Sequence, residues 1–222
     1  MNPTAALPRY LAPVPGFRPA DKVHETLPTG LTALDALIQG FPRGAISEII
    51  GPDSSGRTTL AHTLLAASTA NQEICAYIDT SDSFDPVTAA AAGVALEQLV
   101  WIRCGKNAGH ALKAADYLLH AGGFGVVALD LCQLSPRITN RIPISYWYRF
   151  RLAIENTSTI LALVEKQPLA KSCASLMLEM KRKKTVWAGA PGFQILRESE
   201  LEAAPRKPMR PSAANLKIKA LA

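Results

Sequence analysis

At 222 residues, 48% of them apolar, the chain is long and hydrophobic enough for one α/β domain with a substantial core. No apolar run reaches bilayer-spanning length and residues 1–20 are proline-rich rather than built like a signal peptide, so a cytosolic protein is expected. The net charge of +6 is unevenly placed: residues 165–222 hold 12 Lys/Arg against 5 Asp/Glu, which leaves residues 1–164 close to neutral.

Taken in chain order, Pro3, Pro8, Pro13, Pro15 and Pro19 forbid a long helix and predict an extended arm over residues 1–26. A core domain is expected over 27–201, opening with a short helix at 31–38 closed by Gly40 and a turn through Pro42 and Gly44. Residues 45–50 read as a short strand and 58–69 as a helix, where Leu60, Leu64 and Ala67 form one apolar stripe. Strand and helix then alternate: strands at 75–79, 100–103 and 158–164, helices at 86–92 and 110–120, the second ended by Gly122 and Gly123. Residues 125–130 read as a central strand buried on both faces. Residues 173–181 and 193–201 read as an antiparallel hairpin around a Gly/Pro turn, and 202–222 as a basic tail. The sum is an α/β fold with a mostly parallel central sheet flanked by helices and a C-terminal antiparallel hairpin.

Between the first core strand and its helix lie Gly51, Pro52, Asp53, Ser54, Ser55, Gly56, Arg57, Thr58 and Thr59. A Gly, four residues, Gly, a base and Ser or Thr in a strand-loop-helix context is the frame of a phosphate-binding loop, whose backbone N–H groups and helix N-terminus wrap phosphates. Its usual lysine is here Arg57. A guanidinium is a planar fork of donors and an ammonium a compact charge, so binding can survive this change while turnover fails. Asp130, ending the buried strand 125–130, occupies the Walker B position, where a carboxylate holds Mg²⁺ through water while Thr58 offers a direct hydroxyl ligand. Cys75, Cys104, Cys132 and Cys173 form no CxxC pair, and His24, His62, His110 and His120 have no ligand spacing; reduced core thiols are expected rather than a zinc site.

These residues resemble the RecA-type recombinases and, more closely, their shortened ImuA-like relatives. The likeness spans residues 27–183 and rests on Thr29 and Gly30, Leu34 and Asp35, Pro42, Arg43 and Gly44, Glu48, and above all the loop itself. Beyond it, Ala76, Tyr77, Ile78 and Asp79, then Phe84, Asp85 and Pro86, then Gly93 and Val94, are similar to the family's second strand and adenine-touching turn. The resemblance implies ATP or ADP with Mg²⁺ as ligands, Asp85 as a hydrogen-bonding partner of the base, and Thr88 where an aromatic ring often stacks.

The same resemblance exposes departures. The family's water-activating Glu falls on Ser81, and a hydroxyl is not a general base near neutral pH. Asp82, next door, is a weak substitute expected to point elsewhere. The γ-phosphate-sensing Gln aligns with Lys166, one residue before Gln167. Only residues 135–143 and 167–172 are available for the family's two DNA-facing loops, and the proline-rich arm stands in place of an oligomerisation helix; long filaments are not expected.

Two surface features stand apart from the loop. Lys181, Arg182, Lys183 and Lys184 could meet DNA phosphates or an acidic partner, or simply be solvated. Arg137, Arg141, Arg149 and Arg151 interleave with Tyr146, Trp147, Tyr148 and Phe150, a pattern suited to stacking on single-stranded DNA, to a protein interface, or to a packed helix burying either Ile144, Tyr148 and Leu152 or Trp147, Phe150 and Ile154. By resemblance two functions follow. One is an ImuA-type adaptor in the bacterial cytosol or nucleoid, with little or no ATP hydrolysis, supporting an ImuB-type polymerase-like partner and other mutasome components in SOS-induced translesion synthesis. The other is a DNA-dependent ATPase of recombination and repair.

Overall fold

The computed structural model describes residues 25–190, 192–209 and 211–219. The proposed arm falls almost wholly outside them. The order of elements is β1 (Thr26–Leu27), α1 (Thr32–Ile38), β2 (Phe41–Pro42), β3 (Ala45–Ile50), α2 (Arg57–Ala70), β4 (Cys75–Asp79), α3 (Pro86–Ala91), β5 (Leu99–Arg103), α4 (Ala108–Ala121), β6 (Val126–Asp130), α5 (Pro136–Thr139), α6 (Ile144–Ile154), β7 (Ile160–Glu165), β8 (Ala174–Ala188), β9 (Ile195–Lys207) and β10 (Ala214–Lys219). One eight-stranded sheet has the order β10-β9-β8-β3-β7-β6-β4-β5. From β8 to β5 every pairing is parallel, whereas β9 and β10 are added antiparallel.

β4, β6 and β7 are apolar on both faces because helices cover both. Cys75, Tyr77, Val126, Ala128, Ile160 and Ala162 point to the side of α1 and α2, where Leu34, Leu60, Leu64 and Leu65 pack. Ala76, Ile78, Val127, Leu129, Leu161 and Leu163 point to the side of α4 and α6, with Leu112, Ala115, Trp147 and Phe150. Two-sided burial is what a parallel sheet with crossover helices demands, and it explains why these strands read as continuous apolar runs. The four cysteines are buried and free. No helix among the described residues is long and apolar enough to cross a membrane.

The C-terminal part corrects the expected boundary at residue 201. That position lies inside β9, which continues to Lys207, and Ala214–Lys219 pairs with it as a further strand in the register Leu216↔Leu201. Leu201, Ala203, Ala214 and Leu216 are all buried. Ala203, Ala214 and Leu216 thus contribute to the core where a basic tail was expected.

Candidate functional site

The loop between β3 and α2 has the backbone its glycines prescribe. Gly51 and Gly56 have φ of +151° and +89°, and Ser54 sits between them at +59°. Neither glycine could carry a side chain: a Cβ at Gly51 would collide with the Met180 carbonyl and lie 2.7 Å from Ser55 Oγ, and one at Gly56 would run into Leu201. β8 and β9 therefore pack directly against the loop.

Arg57 opens α2 and is 6% exposed. Its Nη2 donates to Asp53 at 3.1 Å, while Nη1 is buried without a partner. Lys166, just beyond β7, donates to the other Asp53 oxygen at 2.8 Å. Lys166, with Arg57, holds the Asp53 carboxyl below its ordinary pKa, so the loop acid stays ionised between two cations. Ser55 Oγ is also buried and unpartnered. Unpartnered polar side-chain atoms at a helix N-terminus suit a site for an oxyanion.

Asp130 ends β6 and is 4% exposed. The Tyr77 hydroxyl donates to its Oδ2 at 2.7 Å and the Cys132 N–H to its Oδ1 at 2.9 Å. Each oxygen keeps one lone pair, which suits Asp130 to accept from metal-bound water rather than to ligate directly. Thr58 is exposed at the start of α2. Among the described residues no cluster of three His, Cys, Asp or Glu could hold a metal ion. One turn further along α2, His62 packs on Tyr77 and Phe84 with ring centroids 6.1 and 5.5 Å apart; burial depresses its pKa, keeping the ring neutral.

The remaining predicted residues are placed differently from one another. Asp85 caps α3, accepting from the N–H groups of Val87 and Thr88 and from the Thr88 hydroxyl. Asp82, at φ +63°, is bound in a two-pronged ion pair by Arg103 at 2.5 and 2.6 Å. Trp147, expected at a DNA or partner surface, is 1% exposed and stacks edge-on with Phe150 in the core. Of the two stripes open to α6, Trp147, Phe150 and Ile154 face inward, and Ile144, Tyr148 and Leu152 face solvent. Arg149 is tied to Asp116 of α4 at 2.9 Å and lies over Tyr146, and Arg151 lies over Tyr148. Arg137 and Arg141 are exposed around α5. In the basic run, Lys181 pairs with Glu179 and Lys183 with Glu202, while Arg182 and Lys184 have no acidic partner among the described residues.

Arg182 instead helps wall a cleft of about 410 Å³ in front of the loop, bounded on one side by Ser54–Thr59 and on the other by Arg182, Thr185, Trp187, Leu196, Ser199 and Leu201. No carboxylate lines it. Sequence reading missed Trp187 and the β9 residues; the only signal was the loop's own need for a facing wall. Behind the loop, Leu201 separates this cleft from an apolar cavity of about 190 Å³ under α1 and β10.

A strand, a glycine-defined loop, a helix and an acid on a strand once removed make this an α/β protein of the P-loop type. The chain belongs to the RecA family: residues 17–140 match the RecA N-terminal domain. Among curated relatives it is 38% identical over 125 residues to Protein RecA of Borrelia duttonii (strain Ly), 55% of this chain and 34% of that protein. It is 39% identical over 116 residues to Protein RecA of Chloroflexus aurantiacus and 40% identical over 116 residues to that of Bartonella quintana, in both cases 51% of this chain and 33% of the relative. The matched region thus spans about a third of those proteins' length. The match to the RecA N-terminal domain ends at residue 140, before the strands that wall the cleft.

Proposed function

We propose that this chain is a nucleotide-binding accessory protein of the DNA-damage response, an ImuA-type adaptor that supports an ImuB-like polymerase-related partner in translesion synthesis and hydrolyses ATP slowly or not at all. The observation that carries this reading is the cleft itself. A phosphate-shaped loop, with an orphaned Arg57 Nη1 inside it, faces a β8–β9 wall that carries no carboxylate, so a bound triphosphate gains donors but no general base from that side. Ser81 supplies only a hydroxyl, and Asp82 is held by Arg103. Thr58 and Asp130 would position Mg²⁺, which neutralises phosphate charge when bound. The exposed apolar stripe Ile144, Tyr148 and Leu152 on α6, bordered by Arg151, supports a protein interface on the face opposite α2.

The test pairs binding with turnover. Purified protein is expected to bind ATP or ADP with Mg²⁺, to show no hydrolysis stimulated by single-stranded DNA, and to associate with an ImuB-like protein through the α6 stripe. DNA-stimulated turnover lost in Asp130→Asn would replace this reading with that of a repair ATPase.

A further inference from the structure

β8 runs beside β3 only as far as the pair Ile50↔Glu179. There β3 turns into the loop, but β8 continues from Met180 to Ala188 with β9 alongside, and with β10 outside β9 as far as Glu198, so an antiparallel ribbon overhangs the C-terminal edge of the sheet. Ligands of open α/β sheets lie at that edge.

Two register shifts decide what the ribbon shows the loop. Arg182 pairs with Leu201, which rests on Gly56, so both share the loop-facing side. Strict alternation would next present Lys184 and Val186. The shift between Arg182 and Lys184 reverses the parity, and Thr185 and Trp187 line the cleft instead. The second shift, between Val186 and Trp187, sets Leu196 opposite Trp187 in place of Arg197. Bulges re-aim side chains in this way beside binding sites.

The resulting wall is graded. Nearest the loop stands Arg182, the cation of its run that faces the cleft, unclaimed by any acid among the described residues. Farther out, roughly 15 Å along the strand from Leu201, Trp187 is 52% exposed, and its indole N–H donates to Thr185 Oγ1 at 3.2 Å, which fixes the ring. This reach exceeds what a phosphate group alone would fill. Meanwhile Thr88 offers no ring and Asp85 is spent on capping α3.

We propose that Trp187 is the stacking platform for the base of a nucleotide whose phosphates lie on the loop, with Arg182 contacting the phosphate chain. The inference rests on the reading that the loop binds nucleotide, and it moves the base from the α3 side to the β8–β9 ribbon. Stacking is indifferent to base identity, so purine and pyrimidine nucleotides would both be held, purines more tightly for their larger face.

The experiment measures the affinities of ADP and of inorganic tripolyphosphate for the full chain, for Trp187→Ala and for Trp187→Phe. Trp187→Ala is expected to weaken ADP about tenfold and to leave tripolyphosphate within twofold, and Trp187→Phe to recover most of the ADP affinity. If the wild type binds ADP and Trp187→Ala binds it equally well, the platform is wrong and the loop reading stands. If both ligands weaken together, Trp187 supports the cleft's shape rather than the base, and the proposal fails. If the wild type binds neither ligand, both readings fall.

Discussion

The Tyr77 hydroxyl, on β4, donates a 2.7 Å hydrogen bond to Asp130 at the end of β6, so the acid at the Walker B position is anchored by a neighbouring strand. Burial holds the phenol pKa well above its ordinary value, and it serves as a permanent donor. Tyr77→Phe removes that donor while leaving Asp130 buried. A loss of about 1–3 kcal/mol is expected from the carboxylate's unmet hydrogen bond, measured as a lower denaturant midpoint with an unchanged slope.

Asp53 occupies the two cations that a phosphate on the loop would need. It accepts from Arg57 and Lys166 at once. Asp53→Ala is expected to tighten tripolyphosphate binding roughly two- to fivefold at low ionic strength, in keeping with the modest worth of exposed pairs, and the gain should fade with added salt. Titration calorimetry at two salt concentrations checks both parts.

Glu48 and Glu165 form a buried pair under the loop. Glu48 Oε1 accepts from the N–H groups of Leu169 and Ala170 at 2.7 and 2.6 Å, while Glu48 Oε2 and both Glu165 oxygens lack a donor. A proton on Glu165 supplies one. Burial first, and then Glu48, push its pKa well above the ordinary value. The folded protein therefore keeps a proton that the unfolded chain releases. Stability from this group is full below the ordinary carboxylate pKa and is lost as pH rises toward the raised one. Glu165→Gln should match the wild type near about pH 4 and surpass it near about pH 8; a stability difference that ignores pH would contradict the shared proton.

Ending the chain after Lys207 would strip β10 from β9, remove the buried Leu216 and uncover Leu201. Exposing one buried leucine costs about 1.5–3 kcal/mol, and a fall in Tm on the order of 5–10 °C is expected for a chain of this size. Thermal melts followed by circular dichroism would show it. A truncated chain as stable as the intact one would mean that the strand adds nothing to the core.

The loop was legible because its glycines are compulsory: no side chain fits at Gly51 or Gly56. The strands around it were legible because burial on both faces leaves an uninterrupted apolar run. β10 and the far half of β8 were not. Lys181 and Lys183 read as an unpaired basic run, open to DNA phosphates, an acidic partner or solvent, because their partners, Glu179 and Glu202, become neighbours only through strand geometry and pairing. Trp187 faces the loop only because of a bulge, which local spacing does not encode. In α6, Ile144, Tyr148 and Leu152 share the helical spacing of Trp147, Phe150 and Ile154, and only the packing against α4 and the sheet selects the second set.

Leu201 pressing on Gly56 ties the loop to a residue that leaves the ribosome far later. During translation the loop is exposed well before β9 exists to back it. A nascent chain therefore holds the loop without its backing, and the packed arrangement arrives only once β9 has been made.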